Sequence, residues 1–382
     1  TKAGAELTTK NEFHKVYYHK LGDKQENDKL IFVDNEHALR NCSAAVTDDQ
    51  KYLIVYQTET TSGAMVFIKN LEKDSPFVQF NDSFDNDWGV LDHINGKLYI
   101  QTNYGAPNYR VVTVDAANPK MSAIKDLIPE SENVMRGVSY VGGQLFASYL
   151  KDAHSQIKIF DIHGRSLGEL QLPTVGSCTG VFGKPTDNTA YFSFTSFTFP
   201  TVIYKYNVAE NTYTEYFKPS IDFDFNSYET KQVFYTSKDS TKVPMFIIHK
   251  KGIAMDGLNP TLLYGYGGFN SSMTPGFNVS RLAWLEQGGV YAMANIRGGG
   301  EYGEKWHKAG TKLQKQNVFD DFIAAGEYLV NEKYCSPVKL AVQGGSNGGL
   351  LIGAVINQRP DLFGVAIPQV GVMDMLRFHK FT

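Results

Sequence analysis

Cysteine is scarce: Cys42, Cys178 and Cys335 are three in 382 residues, odd in number, far apart and without C-x-x-C spacing. Neither a disulfide framework nor a zinc site can be built from them, so no metal or other cofactor is expected. Long apolar runs are also missing; none reaches the ~18 to 20 residues of a membrane-spanning helix. The charge is nearly balanced, at minus three, with no Lys/Arg block. That balance argues against nucleic acid or an anionic membrane surface as the main partner. There is no initial methionine, since the chain opens Thr1-Lys2-Ala3. The cytoplasm is the expected compartment, with the periplasm as the alternative because the true N-terminus is not seen. What is present is ample apolar material, 42% of residues, enough for two sizeable domains.

From about residue 14 to 219 no helical period is sustained. Short alternating strands rich in Tyr, Phe, Val and Ile are punctuated by turn signals such as Asn95-Gly96, Gly142-Gly143 and His163-Gly164. These strands repeat. Tyr52, Leu98, Leu145 and Ala190 head similar runs 46, 47 and 45 residues apart, and a second set near Met65, Arg110, Ile157 and Val202 follows each at a similar distance. A period in the mid-forties with about four strands per unit predicts β-propeller blades. About four clear units and a partial one near Lys15 to Val33 give a partial propeller of four to five blades. Closed rings commonly have more, so further blades are expected before Thr1; a β-sandwich with chance spacing is the competing architecture.

Beyond a boundary near residues 217 to 230 the grammar changes. A strand at Gln232 to Thr236 and a partner at Pro244 to His249 are followed by strands at Thr261 to Tyr264, Val290 to Asn295, Leu340 to Gln343 and Val365 to Val370. Helices are predicted between them at Val279 to Gln287, Asn317 to Asn331 and Asn347 to Gln358, with Asn317 as an N-cap. Strands alternating with helices predict a parallel sheet covered on both faces. The domains are accordingly placed at 1–220 and 221–382.

Within the second part, Gly344-Gly345-Ser346-Asn347-Gly348 sits between a short apolar strand and an apolar helix. G-x-S-x-G alone is weak, because 35 glycines make chance matches common. The strand-turn-helix context makes it a nucleophile elbow, where Ser346 would stand in a strained turn flanked by residues without side chains. In α/β-hydrolases the carboxylate and the histidine follow the serine in that order. Only 36 residues follow Ser346. Asp374 and His379 are in the right order, but five residues leave no room for the strand and helix that usually separate acid from base. The expectation is that both belong to a surface segment and that the triad partners lie beyond Thr382.

Acyl transfer also needs donors aimed at a developing oxyanion. The backbone N–H of Asn347 is one candidate. The glycine-rich loop Tyr264-Gly265-Tyr266-Gly267-Gly268-Phe269-Asn270 supplies the other, either through its backbone or through the Tyr266 hydroxyl. A competing motif, Gly298, Gly300 and Gly303 in G-x-G-x-x-G, would suit a dinucleotide if a helix opened at those glycines. No apolar helical stripe follows until about Asn317, so this reading is set aside, and His307 is taken as a loop histidine with a local hydrogen bond.

Taken together, the segments Tyr264 to Asn270, Ala294 to Gly310, Gln316 to Phe322, Gly344 to Leu351 and Asn357 to Phe363 resemble the prolyl oligopeptidase family. The resemblance is specific from about residue 230 onward and looser over the propeller. It implies a partial β-propeller plus the N-terminal half of an α/β-hydrolase domain, the chain being truncated at both ends. The implied activity is that of a serine peptidase cutting short peptides after proline, monomeric at full length, with the propeller restricting access. Position by position, it implies Ser346 as nucleophile, the Tyr266 hydroxyl and Asn347 N–H as oxyanion donors, and Phe269 and Val372 as walls of a pocket for the proline ring. Two alternatives stay open: a broader acyl peptidase or esterase on the same scaffold, and a propeller acting as a non-enzymatic binding module.

Overall fold

The computed structural model describes Gly4 and residues 11–73 and 75–380; Thr1 to Ala3 and Thr382 lie outside them. Two compact units divide the chain, one running to Ser131 and the other starting at Glu132.

The first unit holds a two-stranded antiparallel sheet, Lys15–Tyr18 with Lys29–Val33, and two four-stranded antiparallel meanders. The repeat is reproduced in space. Tyr52–Thr58 and Lys97–Thr102 are each the second strand of a meander, and Met65–Asn70 and Arg110–Asp115 are each the third. Their alternating side chains, among them Ile54, Val66, Ile68, Leu98, Ile100, Val112 and Val114, form one buried cluster. At the Asn95-Gly96 turn both residues take positive φ, 49° and 80°, the geometry that a tight hairpin with right-handed strand twist demands.

Two further meanders belong to the second unit. There Gln144–Lys151 and Thr189–Ser196 are the second strands and His154–Asp161 and Phe199–Asn207 the third. Phe146, Ile157, Ile159, Phe192, Val202, Tyr204 and Tyr206 fill the core between them. Among the described residues, four four-stranded sheets and a two-stranded one match the expected four to five blades.

After Phe217 the architecture changes to a six-stranded sheet. Its strands are β1 (Tyr228–Thr236), β2 (Lys242–Lys250), β3 (Thr261–Tyr264), β4 (Val290–Ala294), β5 (Leu340–Gly345) and β6 (Val365–Gln369). They lie in the order β1-β2-β4-β3-β5-β6. The sheet is mixed rather than wholly parallel: β4, β3, β5 and β6 run parallel, whereas β1 and β2 pair antiparallel, as do β2 and β4. For β1 and β2 the reason is local. The short Ser237–Thr241 connection reverses the chain at once, and only a crossover of a dozen or more residues can return it parallel.

Among the described residues four α-helices accompany the sheet: α1 (Val279–Glu286), α2 (Gly303–Lys308), α3 (Gln316–Asn331) and α4 (Asn347–Gln358). Along β2 the burial alternates, Met245 and Ile247 facing one core and Phe246 and Ile248 the other. Val318, Phe322, Ala325 and Leu329 of α3 pack into the first core with Leu351, Ile352 and Val355 of α4, the spacing of a single helical stripe. Two expectations are corrected. Asn317 does not cap α3; it lies inside the helix and donates to the Ala309 carbonyl at 2.9 Å, and Lys315 takes the N-cap position. Residues 303–308, expected as loop, form the short helix α2, whose side chains have no continuous apolar stripe because it is only six residues long. Among the described residues no helix is long and apolar enough to cross a membrane.

Candidate active site

The end of β5 turns sharply into α4 at Ser346, which adopts φ 56° and ψ −115°. A serine rarely occupies this region, and it persists only where the surroundings over-determine it. Here they do. Ser346 N–H donates to the Gln369 carbonyl of the neighbouring strand at 2.9 Å, while its own carbonyl accepts from Gly349 N–H at 2.9 Å and Leu350 N–H at 3.2 Å. The backbone is thus pinned on both sides while the residue itself stays exposed.

The flanking glycines are required by contact. A Cβ on Gly344 would stand 2.4 Å from the Gly348 carbonyl oxygen, and one on Gly348 would stand 2.7 Å from the Gly265 carbonyl oxygen. Those distances are below any tolerated carbon contact, so the elbow and the 264–270 loop close on each other only because both positions lack side chains. The same Cβ on Gly348 would lie 3.5 Å from a Tyr266 ring carbon. The loop after β3 therefore rests directly on the first turn of α4.

Asn347, the first residue of α4, is buried. Its side-chain amide donates to the Tyr266 carbonyl at 2.6 Å and accepts from the Lys315 ammonium at 3.2 Å. Lys315 also donates to the Gly267 carbonyl at 2.8 Å. As an N-terminal residue of the helix, Asn347 has a backbone N–H that the helical ladder does not consume. Tyr266 and Asn347, named separately from the sequence, are thereby brought together. Phe269 sits in the same loop with φ 54° and a 62% exposed surface, and Val372 follows β6 and is 41% exposed.

The second glycine motif packs against this loop instead of forming an anion cradle. A Cβ on Gly298 would strike the Gly267 carbonyl at 2.6 Å, and one on Gly300 the Asn270 carbonyl at 2.6 Å. The His307 Nδ1 lies 2.8 Å from the Gly298 carbonyl oxygen and 3.1 Å from Asn270 N, so its hydrogen bonding is local, although it sits on α2 and not in a loop. Below the turn, Arg297 is held by Asp321 and Asp239, and Arg297 lowers the Asp239 carboxyl to about 2 through their hydrogen bond. Glu301 is buried, and that burial raises its carboxyl to about 7.

Asp374 and His379 do not assemble a base and its acid. The Asp374 carboxylate accepts from Arg377 Nε at 2.7 Å and from Arg377 N–H at 3.2 Å, within an exposed segment.

Lys315 and Glu301 were not singled out from the sequence, and Asp321 was read with Asp320 only as an acid suited to the positive N-terminal end of its helix. One signal was available for the first: a lysine directly before a helix opposes the positive N-terminal end of the helix dipole, so its presence there calls for another reason. Asp321 carries a similar mark, an acid on the apolar stripe Val318, Phe322, Ala325.

With this geometry in place, the comparisons with known proteins are specific. Residues 1–218 match the family model described as "Prolyl oligopeptidase, N-terminal beta-propeller domain", and residues 275–382 match that of the "Prolyl oligopeptidase family". The chain is 47% identical over 381 residues to the prolyl endopeptidase of Elizabethkingia meningoseptica, covering 100% of this chain and 54% of that protein. It is 38% identical over 380 residues to prolyl oligopeptidase A of Galerina marginata, covering 96% of this chain and 51% of that one. A solved structure from a study of two prolyl endopeptidases superposes with a TM-score of 0.92 at 42% identity, covering 97% of this chain and 54% of its own. Prolyl oligopeptidase B of Galerina marginata, bound to a 25mer macrocyclization substrate, gives a TM-score of 0.92 at 34% identity, covering 97% of this chain and 53% of its own. The chain spans about half the length of the curated relatives it matches.

Proposed function

Because this chain belongs to the prolyl oligopeptidase family, we propose that it carries the nucleophile and oxyanion half of a serine peptidase site acting on short peptides after proline. In this reading the boundary between propeller and hydrolase parts lies at 220/221, which the change from four-stranded meanders to a six-stranded mixed sheet after Phe217 supports. The proposal is carried by the backbone of Ser346, held at φ 56° and ψ −115° by hydrogen bonds on both sides while the residue is exposed. Stored strain of this kind presents the hydroxyl above the sheet without any reorganisation at the moment of reaction.

In this reading the Ser346 oxygen attacks the carbonyl carbon of a proline residue while a histidine base takes the hydroxyl proton. The carbonyl oxygen becomes an oxyanion facing Asn347 N–H and the Tyr266 hydroxyl. Collapse breaks the peptide C–N bond, the base returns its proton to the leaving amine, and an ester on Ser346 remains for water to hydrolyse. Phe269 and Val372 form apolar walls for the proline ring, which has no N–H to satisfy. Asp374 is engaged with Arg377, so the base and its carboxylate are assigned to the part of the protein that the relatives carry beyond the match.

The test is to assay the protein at its full natural length on paired peptide substrates with proline or alanine before the scissile bond. Preference for proline of at least tenfold, abolished by Ser346→Ala, is the expected result. Equal rates on the two substrates would point to a broader acyl peptidase, and turnover surviving Ser346→Ala would overturn the site.

A further inference from the structure

Lys315 stands where the helix dipole disfavours a cation, at the N-cap of α3, and no carboxylate pairs with it among the described residues. Its side chain is nevertheless drawn inward. The ammonium donates to two neutral oxygens, Gly267 O at 2.8 Å and Asn347 Oδ1 at 3.2 Å. One belongs to the loop that carries Tyr266, the other to the residue whose backbone N–H is the second oxyanion donor. Asn347 Nδ2 closes the ring of contacts by donating to the Tyr266 carbonyl at 2.6 Å.

A donor-only group at this point has a directional consequence. An ammonium cannot accept a hydrogen bond, so the Asn347 amide must present its oxygen to Lys315, and its NH₂ is thereby forced toward Tyr266. A neutral or apolar residue in place of Lys315 would leave the amide free to turn over, and the tie between α4 and the 264–270 loop would lose its register. There is little slack to absorb such a turn: a Cβ on Gly268 would lie 2.5 Å from Asn347 Nδ2.

We propose that Lys315 is a positioning residue for the oxyanion site, locking the Asn347 amide so that the Asn347 N–H and the Tyr266 hydroxyl stay aimed at one point. This rests on the peptidase reading above. The ammonium also adds positive charge beside the N-terminus of α4, with the sign that stabilises an oxyanion there. Burial, with no acid nearby to offset it, lowers the Lys315 ammonium to about 8. Above that pH the amine gains a lone pair, can accept as well as donate, and no longer dictates the amide orientation. Activity that depends on the lock therefore falls as pH rises through about 8.

The experiment uses the full natural length of the protein and compares wild type, Lys315→Met, Lys315→Gln and Ser346→Ala on a chromogenic prolyl peptide between pH 6 and 10. Expected for Lys315→Met is a fall in kcat/KM of about tenfold, carried by kcat, since a positioning residue should cost less than deleting an oxyanion donor outright. KM should stay within about twofold, and the decline above pH 8 should vanish from the profile. Affinity for a peptidyl-proline boronate, whose tetrahedral adduct places an oxygen at the oxyanion position, should fall by the same factor as kcat/KM. If Lys315→Met does not fold, Lys315→Gln supplies the same readouts with a neutral group of similar reach. Retention of the alkaline decline in either folded variant, or kcat/KM within twofold of wild type, overturns the proposal. A wild type no faster than Ser346→Ala would instead overturn the peptidase reading, so the two failures are distinct.

Discussion

Arg297 and Asp321 meet side by side in the core beneath the glycine turn, with Nε 2.9 Å from Oδ2 and Nη2 2.6 Å from Oδ1, and Asp321 is wholly buried. Asp321 Oδ2 also accepts Arg297 N–H at 3.0 Å, and Oδ1 accepts the Ser237 hydroxyl at 2.5 Å. A single carboxylate on α3 thus fixes the end of β4, the turn behind it and the hairpin between β1 and β2. Removing Asp321 leaves the buried Arg297 guanidinium with only the half-exposed Asp239 as a carboxylate partner, and removing Arg297 leaves the Asp321 carboxylate buried without a cation. Asp321→Ala is expected to cost about 3–5 kcal/mol, whereas the double replacement Arg297→Met/Asp321→Leu should cost much less because no lone charge remains. Urea unfolding of the single and double variants checks the difference; equal losses would show that the pair acts through packing alone.

The same residues show what the sequence could and could not reveal. Blades were legible because the repeat near residues 52, 98, 145 and 190 survives as the second strand of each meander. The elbow was legible because Gly344 and Gly348 mark a backbone contact that any Cβ would break. Contacts at long sequence range were not. Lys315 reaches Asn347 across 32 positions and Arg297 reaches Asp321 across 24, and neither spacing follows a local period. The β1–β2 pair was legible as two partner strands joined by a short connection, whereas the antiparallel pairing of β2 with β4 joins segments more than forty residues apart and follows no local signal.

Glu301 gives a pH-dependent prediction. Burial raises its folded-state carboxyl from 4.5 to about 7, so the folded protein retains a proton that the unfolded chain releases at lower pH. This group's contribution is therefore most favourable below about 4.5 and is lost as pH rises through about 7. Glu301→Gln keeps a carbonyl oxygen for the 2.7 Å hydrogen bond from Met273 N–H but removes the titration. Relative to wild type, the variant should gain stability between pH 5 and pH 8, by about 1–3 kcal/mol. Parallel melting of both proteins at the two pH values decides it, and an unchanged difference would place the Glu301 proton elsewhere.

Two neighbouring glycines separate the strain of the elbow from the general intolerance of a tight turn. A Cβ on Gly344 would strike the Gly348 carbonyl at 2.4 Å, while one on Gly345 meets nothing nearer than the Gln369 carbonyl at 4.0 Å. Gly344→Ala should cost upwards of about 2 kcal/mol in stability, as overpacking does, and should also displace Ser346. Gly345→Ala should fold within about 0.5 kcal/mol of wild type. Thermal unfolding of the two variants tests the contrast, and equal behaviour would mean that the Gly344–Gly348 contact does not constrain the turn.

Tyr266 offers the most direct test of the oxyanion assignment, because its backbone and its hydroxyl have separable duties. The backbone carbonyl receives the 2.6 Å bond from Asn347 Nδ2, and the ring lies against Gly348. Tyr266→Phe preserves both and deletes only the hydroxyl. Loss of one oxyanion donor lowers kcat by about 10²–10³-fold with little change in KM, since the interaction develops in the transition state. Phe269→Ala should do the opposite on short substrates: a wall of the proline pocket binds ground state and transition state alike, so KM rises while kcat holds. Steady-state kinetics of the two variants on one prolyl substrate separate the roles. A Tyr266→Phe variant with undiminished kcat would leave Asn347 N–H as the sole donor from this half of the site and remove the hydroxyl from the mechanism.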